Sequence, residues 1–206
     1  MTDARAKATV ALFLSHLNAN IVVLESRPGR MPSIEGGVVM LGPNGMNVVQ
    51  GLGLAEALHH RPNGIPVSWL HMYESSGGRL GKVPQGSAER YGFASTMITR
   101  WDVQEVLLDA MEKRRLTIAW GAKVEDVEEV AEGVIVRWCE GSTAKEKKVD
   151  LLVGADGIWS IVRTKCVTNL CNFECMWLTI MKDVCHIEYS CAEAQVQRFG
   201  GCGRSD

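Results

Sequence analysis

The run IVVL at residues 21–24, closed by Glu25, most constrains what this chain can fold into. A strand with no polar position has no face to offer to water. It must be covered on both sides, as a strand is in a parallel sheet flanked by helices. The preceding residues agree with that requirement. Residues 8–17 repeat apolar positions at helical spacing, with Val10, Leu14 and Leu17 expected on one side, and residues 18–20 (NAN) make the turn into the strand.

Further along, SRPGRMPS at 26–33 is a loop broken by Pro and Gly, and GGVVMLGPN follows at 36–44. Asn44 is a candidate N-cap for a helix with Val48, Val49, Leu52 and Leu54 inward, ending near His59. Residues 62–95 change character: VSWLHMYE, GRLGKV and YGFAS are β-like pieces separated by Gly, Pro and Ser, as in an antiparallel insertion. Thr99, three residues before Asp102, opens a helix with Val103, Val106, Leu107, Ala110 and Met111 at three- and four-residue spacing. Residues 116–120, 133–139 and 147–153 read as three more strands. This order predicts an α/β sheet carrying an inserted β element.

Composition excludes several functions. A formal net charge of −2 gives no footprint for nucleic acid or an anionic membrane, and the lysines at 145, 147 and 148 alternate with Glu146 as a solvated hairpin edge does. No apolar run reaches the roughly 18 residues a membrane-spanning helix needs. The apolar stretch at 8–14 lacks a small-x-small cleavage site and leads straight into the next strand, so a soluble, cytoplasmic protein is expected.

Three places could carry chemistry. Glu25 stands at the carboxyl end of the buried strand, where an acid accepts from the vicinal hydroxyls of a ribose; a merely solvated strand end is the competing reading. Arg100 lies in the first turn of the strongest helix, where a guanidinium reaches a phosphate or pairs with Asp102 or Gln104. The stretch LLVGADGIWSIVR at 151–163 joins an apolar strand to a helix through Gly154, Asp156 and Gly157, with Ser160 and Arg163 placed on one helical face with Asp156. His59, His60 and His71 have no metal-ligand spacing, and Asp102, Glu105 and Asp109 form a polar helix face.

VDLLVGADGIWSIVR resembles the Asp-Gly motif of the class A flavoprotein monooxygenases, the group that includes p-hydroxybenzoate and salicylate hydroxylases. IVVLESRP, GGVVMLGPNGM, LGLAEAL, YGFASTMITRWDVQEVLL and WGAKVEDVEE occur in that family's order, and the likeness covers about residues 8–165. It is nearest to fungal members acting on aromatic or polyketide-type secondary metabolites. The resemblance implies a Rossmann-like FAD-binding domain over residues 1–165, with 62–95 as inserted substrate-domain strands. It further implies FAD as cofactor, NAD(P)H as reductant, and transfer of one oxygen atom of O₂ to a small aromatic or polyketide-like substrate. By the same resemblance Glu25 holds the adenosine ribose, the backbone at Gly36, Gly37 and Val38 approaches the cofactor, and Arg100 contacts its ribityl-pyrophosphate region. Asp156 and Gly157 serve the pyrophosphate and NAD(P)H.

The chain also departs from that pattern. Counting back from Glu25, Thr2, Ala4 and Lys7 stand where a Gly-x-Gly-x-x-Gly turn belongs, and no Gly-Asp-Ala-x-His segment follows downstream. Of seven cysteines, Cys139 stands alone and the others crowd into 166–206. That tail reads as sequence foreign to the family, from an unspliced intron or a shifted frame. A zinc site or a disulfide cluster are its alternatives. The expectation is therefore a family domain incomplete at both ends, either an active monooxygenase or a catalytically inactive remnant of one.

Overall fold

The computed structural model describes residues 4–17, 19–30, 37–157 and 159–166. Helix α1 (Ala4–Leu14) runs through one 3-10 turn toward strand β1 (Val22–Glu25). Strand β2 (Val38–Leu41), helix α2 (Pro43–Gly51) and helix α3 (Ala55–His59) follow. Next come β3 (Ile65–Val67), β4 (Trp69–Tyr73), β5 (Arg79–Pro84), the short α4 (Ala88–Tyr91) and β6 (Ser95–Thr99). Helix α5 (Arg100–Lys113) leads to β7 (Thr117–Trp120), β8 (Ala122–Val130), β9 (Gly133–Glu140), β10 (Thr143–Val149) and α6 (Ile161–Cys166). Gly36 and the tail from residue 167 lie outside the described residues.

The apolar strand is in a parallel ladder, as its composition requires. β1 pairs with β7, Val22 opposite Thr117 and Glu25 opposite Trp120. The remaining sheets are antiparallel: β2-β6-β3, the β4-β5 hairpin, and the β10-β9-β8 meander. The class is α/β with an inserted β element. Helices α1 and α5 cover the main core with α2, α3 and β6, and Leu12, Met46, Leu58, Ile98 and Met111 are fully or almost fully buried in it. All five apolar positions expected to face inward on α5 are buried. A smaller cluster of buried side chains, Val127, Val136 and Val162, belongs to β8, β9 and α6.

Four expectations are corrected. The buried face of α1 is Ala8, Ala11 and Leu12, not Val10, Leu14 and Leu17; small alanines admit close helix packing, and the 3-10 turn past Leu14 breaks the helical phase so that Leu17 is 68% exposed. Asn44 is not the cap of α2: Gly42 holds that position and Pro43 opens the helix, where its fixed φ is preorganised. The helix expected to reach His59 is split, because Gly53 turns left-handed at φ 74° between α2 and α3, leaving Val48 exposed. Finally, residues 151–153 form no strand: β10 ends at Val149 and 151–155 runs irregularly, with no ladder partner among the described residues.

Candidate functional site

Glu25 ends β1 with its side chain at zero exposure. Its Oε2 receives the Lys7 ammonium at 3.0 Å, and its Oε1 receives the Arg27 backbone N–H at 3.0 Å and the Ser26 hydroxyl at 3.4 Å. Lys7, in the first turn of α1, also donates to the Leu24 carbonyl at 3.0 Å. A carboxylate taken out of water needs its charge paired and its lone pairs filled, and both conditions are met from within the chain. The loop after Glu25 is pinned on both sides. The Arg27 carbonyl accepts from Gly121 N–H at 2.7 Å, and Arg30 binds Glu105 at 2.7 Å and Asp109 on α5. Donating to Glu105 and then to Asp109 pushes the Arg30 pKa further up. The polar face of α5 is thus in part a clamp for this loop.

Gly37, Val38 and Arg100 are brought together by pairing of β2 with β6. Val38 lies opposite Thr99, and the Arg100 backbone N–H donates to the Gly37 carbonyl at 3.1 Å. The Arg100 side chain is exposed and makes no ion pair or hydrogen bond among the described residues. It does not pair with Asp102, whose carboxylate accepts from the Thr99 hydroxyl at 2.5 Å and from Asn63 at 3.0 Å. A cation at the positive end of a helix dipole gains nothing from the helix, so Arg100 is held there by no favourable interaction with α5 itself. At Gly37 an added Cβ would meet nothing within 4 Å, so the protein itself does not demand glycine there.

Asp156 stands apart from both groups. Its Oδ2 accepts from Ile161 N–H at 2.8 Å, whereas its Oδ1 is buried without a partner among the described residues. The Ser160 hydroxyl accepts from Arg163 N–H at 3.0 Å and so caps α6, which begins at Ile161. Asp156 therefore lies ahead of the helix, and the expected shared helical face of Asp156, Ser160 and Arg163 does not form. The two glycines of the motif have different reasons. Gly157 adopts φ 84°, while a Cβ on Gly154 would fall 2.8 Å from the Cβ of Val162.

No hydrogen bond or ion pair joins these three groups to one another among the described residues. His59 stacks on Phe93 at 6.1 Å, and His60 lies 3.5 Å from Glu56. An open cavity of about 500 Å³ lined by Ser15, His16, Arg114, Arg115 and Thr117 sits at the opposite, amino-terminal ends of β1 and β7, away from Glu25. Lys7 is the residue that sequence reasoning missed as a participant. Its signal was available: a helix followed by a returning strand brings the start of one beside the end of the other.

The FAD binding domain family matches residues 8–200, reaching into the Cys-rich tail, and the chain belongs to that family. It is 32% identical over 161 residues to the FAD-dependent monooxygenase olcE of Penicillium canescens, covering 78% of this chain and 33% of that one. The fold is that of p-nitrophenol 4-monooxygenase from Pseudomonas putida, with a TM-score of 0.69 at 21% identity over 78% of this chain and 40% of that one. It is also that of aklavinone-11 hydroxylase, solved with FAD and aklavinone, with a TM-score of 0.65 at 20% identity over 78% of this chain and 32% of that one. The chain spans about a third of the length of this relative, and less than two thirds of the others it matches. Among the described residues no helix is long and apolar enough to cross a membrane.

Two of the three groups suit an FAD. The unpaired Arg100 guanidinium matches a phosphate, and Asp156 Oδ1 is an acceptor awaiting a donor. Glu25 suits it only in part, since three donors already occupy its oxygens.

Proposed function

We propose that this chain is the FAD-holding part of a monooxygenase that hydroxylates a small aromatic or polyketide-type metabolite. The observation that carries this reading is Arg100, whose backbone N–H donates to the Gly37 carbonyl at the start of α5 and whose guanidinium has no partner among the described residues. There an exposed guanidinium stands beside the open backbone of Gly37, which suits a phosphate. Arg100 would bind phosphate, the backbone of Gly37 and Val38 would lie along the cofactor, and Asp156 Oδ1 would accept from one of its hydroxyls or N–H groups. Gly157 would present its backbone beside Asp156.

When bound, FAD supplies the redox chemistry between NAD(P)H, O₂ and substrate. In balance, substrate C–H, O₂, NAD(P)H and a proton give C–OH, water and NAD(P)⁺. The protein's share is to bind, orient and exclude water. Monooxygenase names among its relatives and a p-nitrophenol-acting neighbour support this assignment. A cytoplasmic location belongs to the same reading, because the reductant is an intracellular one.

A second reading is a catalytically inactive remnant, favoured by the occupied state of Glu25. Titrating the 206-residue protein with FAD separates the two. Saturable quenching of flavin fluorescence that is lost in Arg100→Ala supports the first. A folded protein that binds no FAD leaves only the second.

A further inference from the structure

At the amino-terminal ends of β1 and β7 the chain gathers positive charge that it does not neutralise. The half-buried Arg114 guanidinium donates there to neutral acceptors: Nη1 to the Leu12 carbonyl at 2.9 Å and the Ser15 hydroxyl at 3.0 Å, Nη2 to the Leu52 carbonyl at 3.3 Å. Nη1 also lies 3.2 Å from His16 Nε2. A guanidinium has no acceptor, so that ring nitrogen is bare and the imidazole proton sits on Nδ1. Neither Arg114 nor Arg115 is in an ion pair among the described residues, and no acid lines the cavity of about 500 Å³ beside them. Charge drawn partly out of water without a counter-charge costs free energy, and a bound anion supplies what is missing.

Arg115 adds an observation of a different kind. It follows the last turn of α5, its N–H on the Glu112 carbonyl at 2.9 Å and the Leu116 N–H on the Met111 carbonyl at 3.0 Å. That closure sets Arg115 at φ 56°, the one non-glycine residue with left-handed backbone among the described residues. Glycine is favoured in such a turn. The negative end of α5 favours a cation nearby, but Arg114 already supplies one. Arg115 is exposed at the cavity wall with no side-chain partner among the described residues, and the side chains of Asn20 and Thr117 on the same wall are equally unbonded there.

We propose that this cavity is a site for a phosphate dianion, free or carried by a small phosphomonoester. Arg115 binds it, with the Nδ1–H of His16, the Asn20 amide and the Thr117 hydroxyl as further donors. Arg114 holds His16 in place and adds charge behind it. The site lies at the opposite end of the strands from Glu25 and is independent of the FAD reading.

The test is a series of thermal melts of the full chain in rising inorganic phosphate, with chloride keeping the ionic strength constant. The melting temperature is expected to rise by about 3–6 °C at about ten times the dissociation constant. Arg115→Gly suits the left-handed turn, so it folds, and it is expected to lose the rise. Arg100→Ala, at the proposed flavin site, is expected to keep it. No rise in the unsubstituted chain overturns the proposal. An equal rise in Arg115→Gly also overturns it, being the general effect of phosphate on a protein surface. So does a rise lost in Arg100→Ala and kept in Arg115→Gly, which moves the phosphate to the flavin site. Ribose 5-phosphate then separates the two sources. Binding about tenfold tighter than inorganic phosphate assigns the cavity to a phosphorylated metabolite, and equal or weaker binding assigns it to free phosphate.

Discussion

The Thr99 hydroxyl donates to Asp102 Oδ2 at 2.5 Å and accepts the Asp102 backbone N–H at 3.0 Å. This reciprocal cap sets where α5 begins, and with it the position of Arg100 one residue later. Thr99→Ala leaves a first-turn N–H without its acceptor and is expected to cost about 1–2 kcal/mol. A thermal melt against the unsubstituted protein checks it, with a fall of about 2–8 °C expected for a chain of this size. An unchanged melting point would mean that Asn63 alone holds Asp102 in place.

Gly154 and Gly157 should respond differently to the same substitution. Gly154→Ala drives a methyl into Val162 of α6, a backbone-borne overlap expected to cost about 1–3 kcal/mol. Gly157→Ala meets strain from its positive φ, expected to cost about 1 kcal/mol. Pairing each with Val162→Ala tells them apart in denaturant melts: the smaller partner relieves Gly154→Ala and leaves Gly157→Ala as it was.

Arg100→Ala and Gly37→Ala should change ligand binding without harming the fold. Arg100 has no side-chain partner among the described residues and sits at the positive end of α5, so its removal leaves stability within about 0.5 kcal/mol or slightly raises it. Gly37 has open space around a built Cβ, so Gly37→Ala is similarly neutral. Each is expected to weaken FAD by about tenfold, by loss of a charge-assisted contact or by a methyl placed in the cofactor's path. Melting curves and flavin titrations on the same preparations decide it. Loss of stability with unchanged flavin affinity would contradict the assignment.

Acid should loosen the attachment of α6 to the meander. Asp126 on β8 receives Lys165 of α6 at 2.8 Å and Arg137 of β9 at 3.0 Å, and these two cations, Lys165 foremost, hold its carboxyl below the usual range. A carboxyl whose pKa is lower folded than unfolded stabilises fully above the unfolded value, near 4. That contribution fades as pH falls through the folded value. Stability is therefore expected to be flat in this respect from pH 7 to about 5 and to drop below about 4. Asp126→Asn should flatten the acid part of a melting-temperature profile. Because the pair is exposed, added salt should shrink the difference.

Legibility in the sequence followed the range of the interaction. Helix α5 and its Thr99 cap were readable because periodicity and capping act over a few neighbouring residues. β1 was readable because an apolar run with no polar face has few possible environments. The break at Gly53 and the face of α1 were not, since both depend on which helix packs against which. Residues 151–153 had the composition of a strand but no neighbour to pair with among the described residues, and a strand is a property of two segments. At the site, Glu25, Arg100 and Asp156 were named from position alone. That Glu25 is paired with Lys7, Arg100 unpaired and Asp156 half-satisfied required coordinates, because partners eighteen residues apart leave no local mark.

β10 forms the outer edge of the meander and is exposed along nearly its whole length, with Lys145, Lys147 and Lys148 set against a single Glu146. Lys145 pairs with Glu140 and Lys148 with Glu132, so a second copy extending this sheet through the same strand would have to disturb both pairs and bring Lys147 against a like charge. Self-association by that route is repelled before a ladder can form. The meander can thus leave its outermost backbone groups open to water without offering a ready template for another strand.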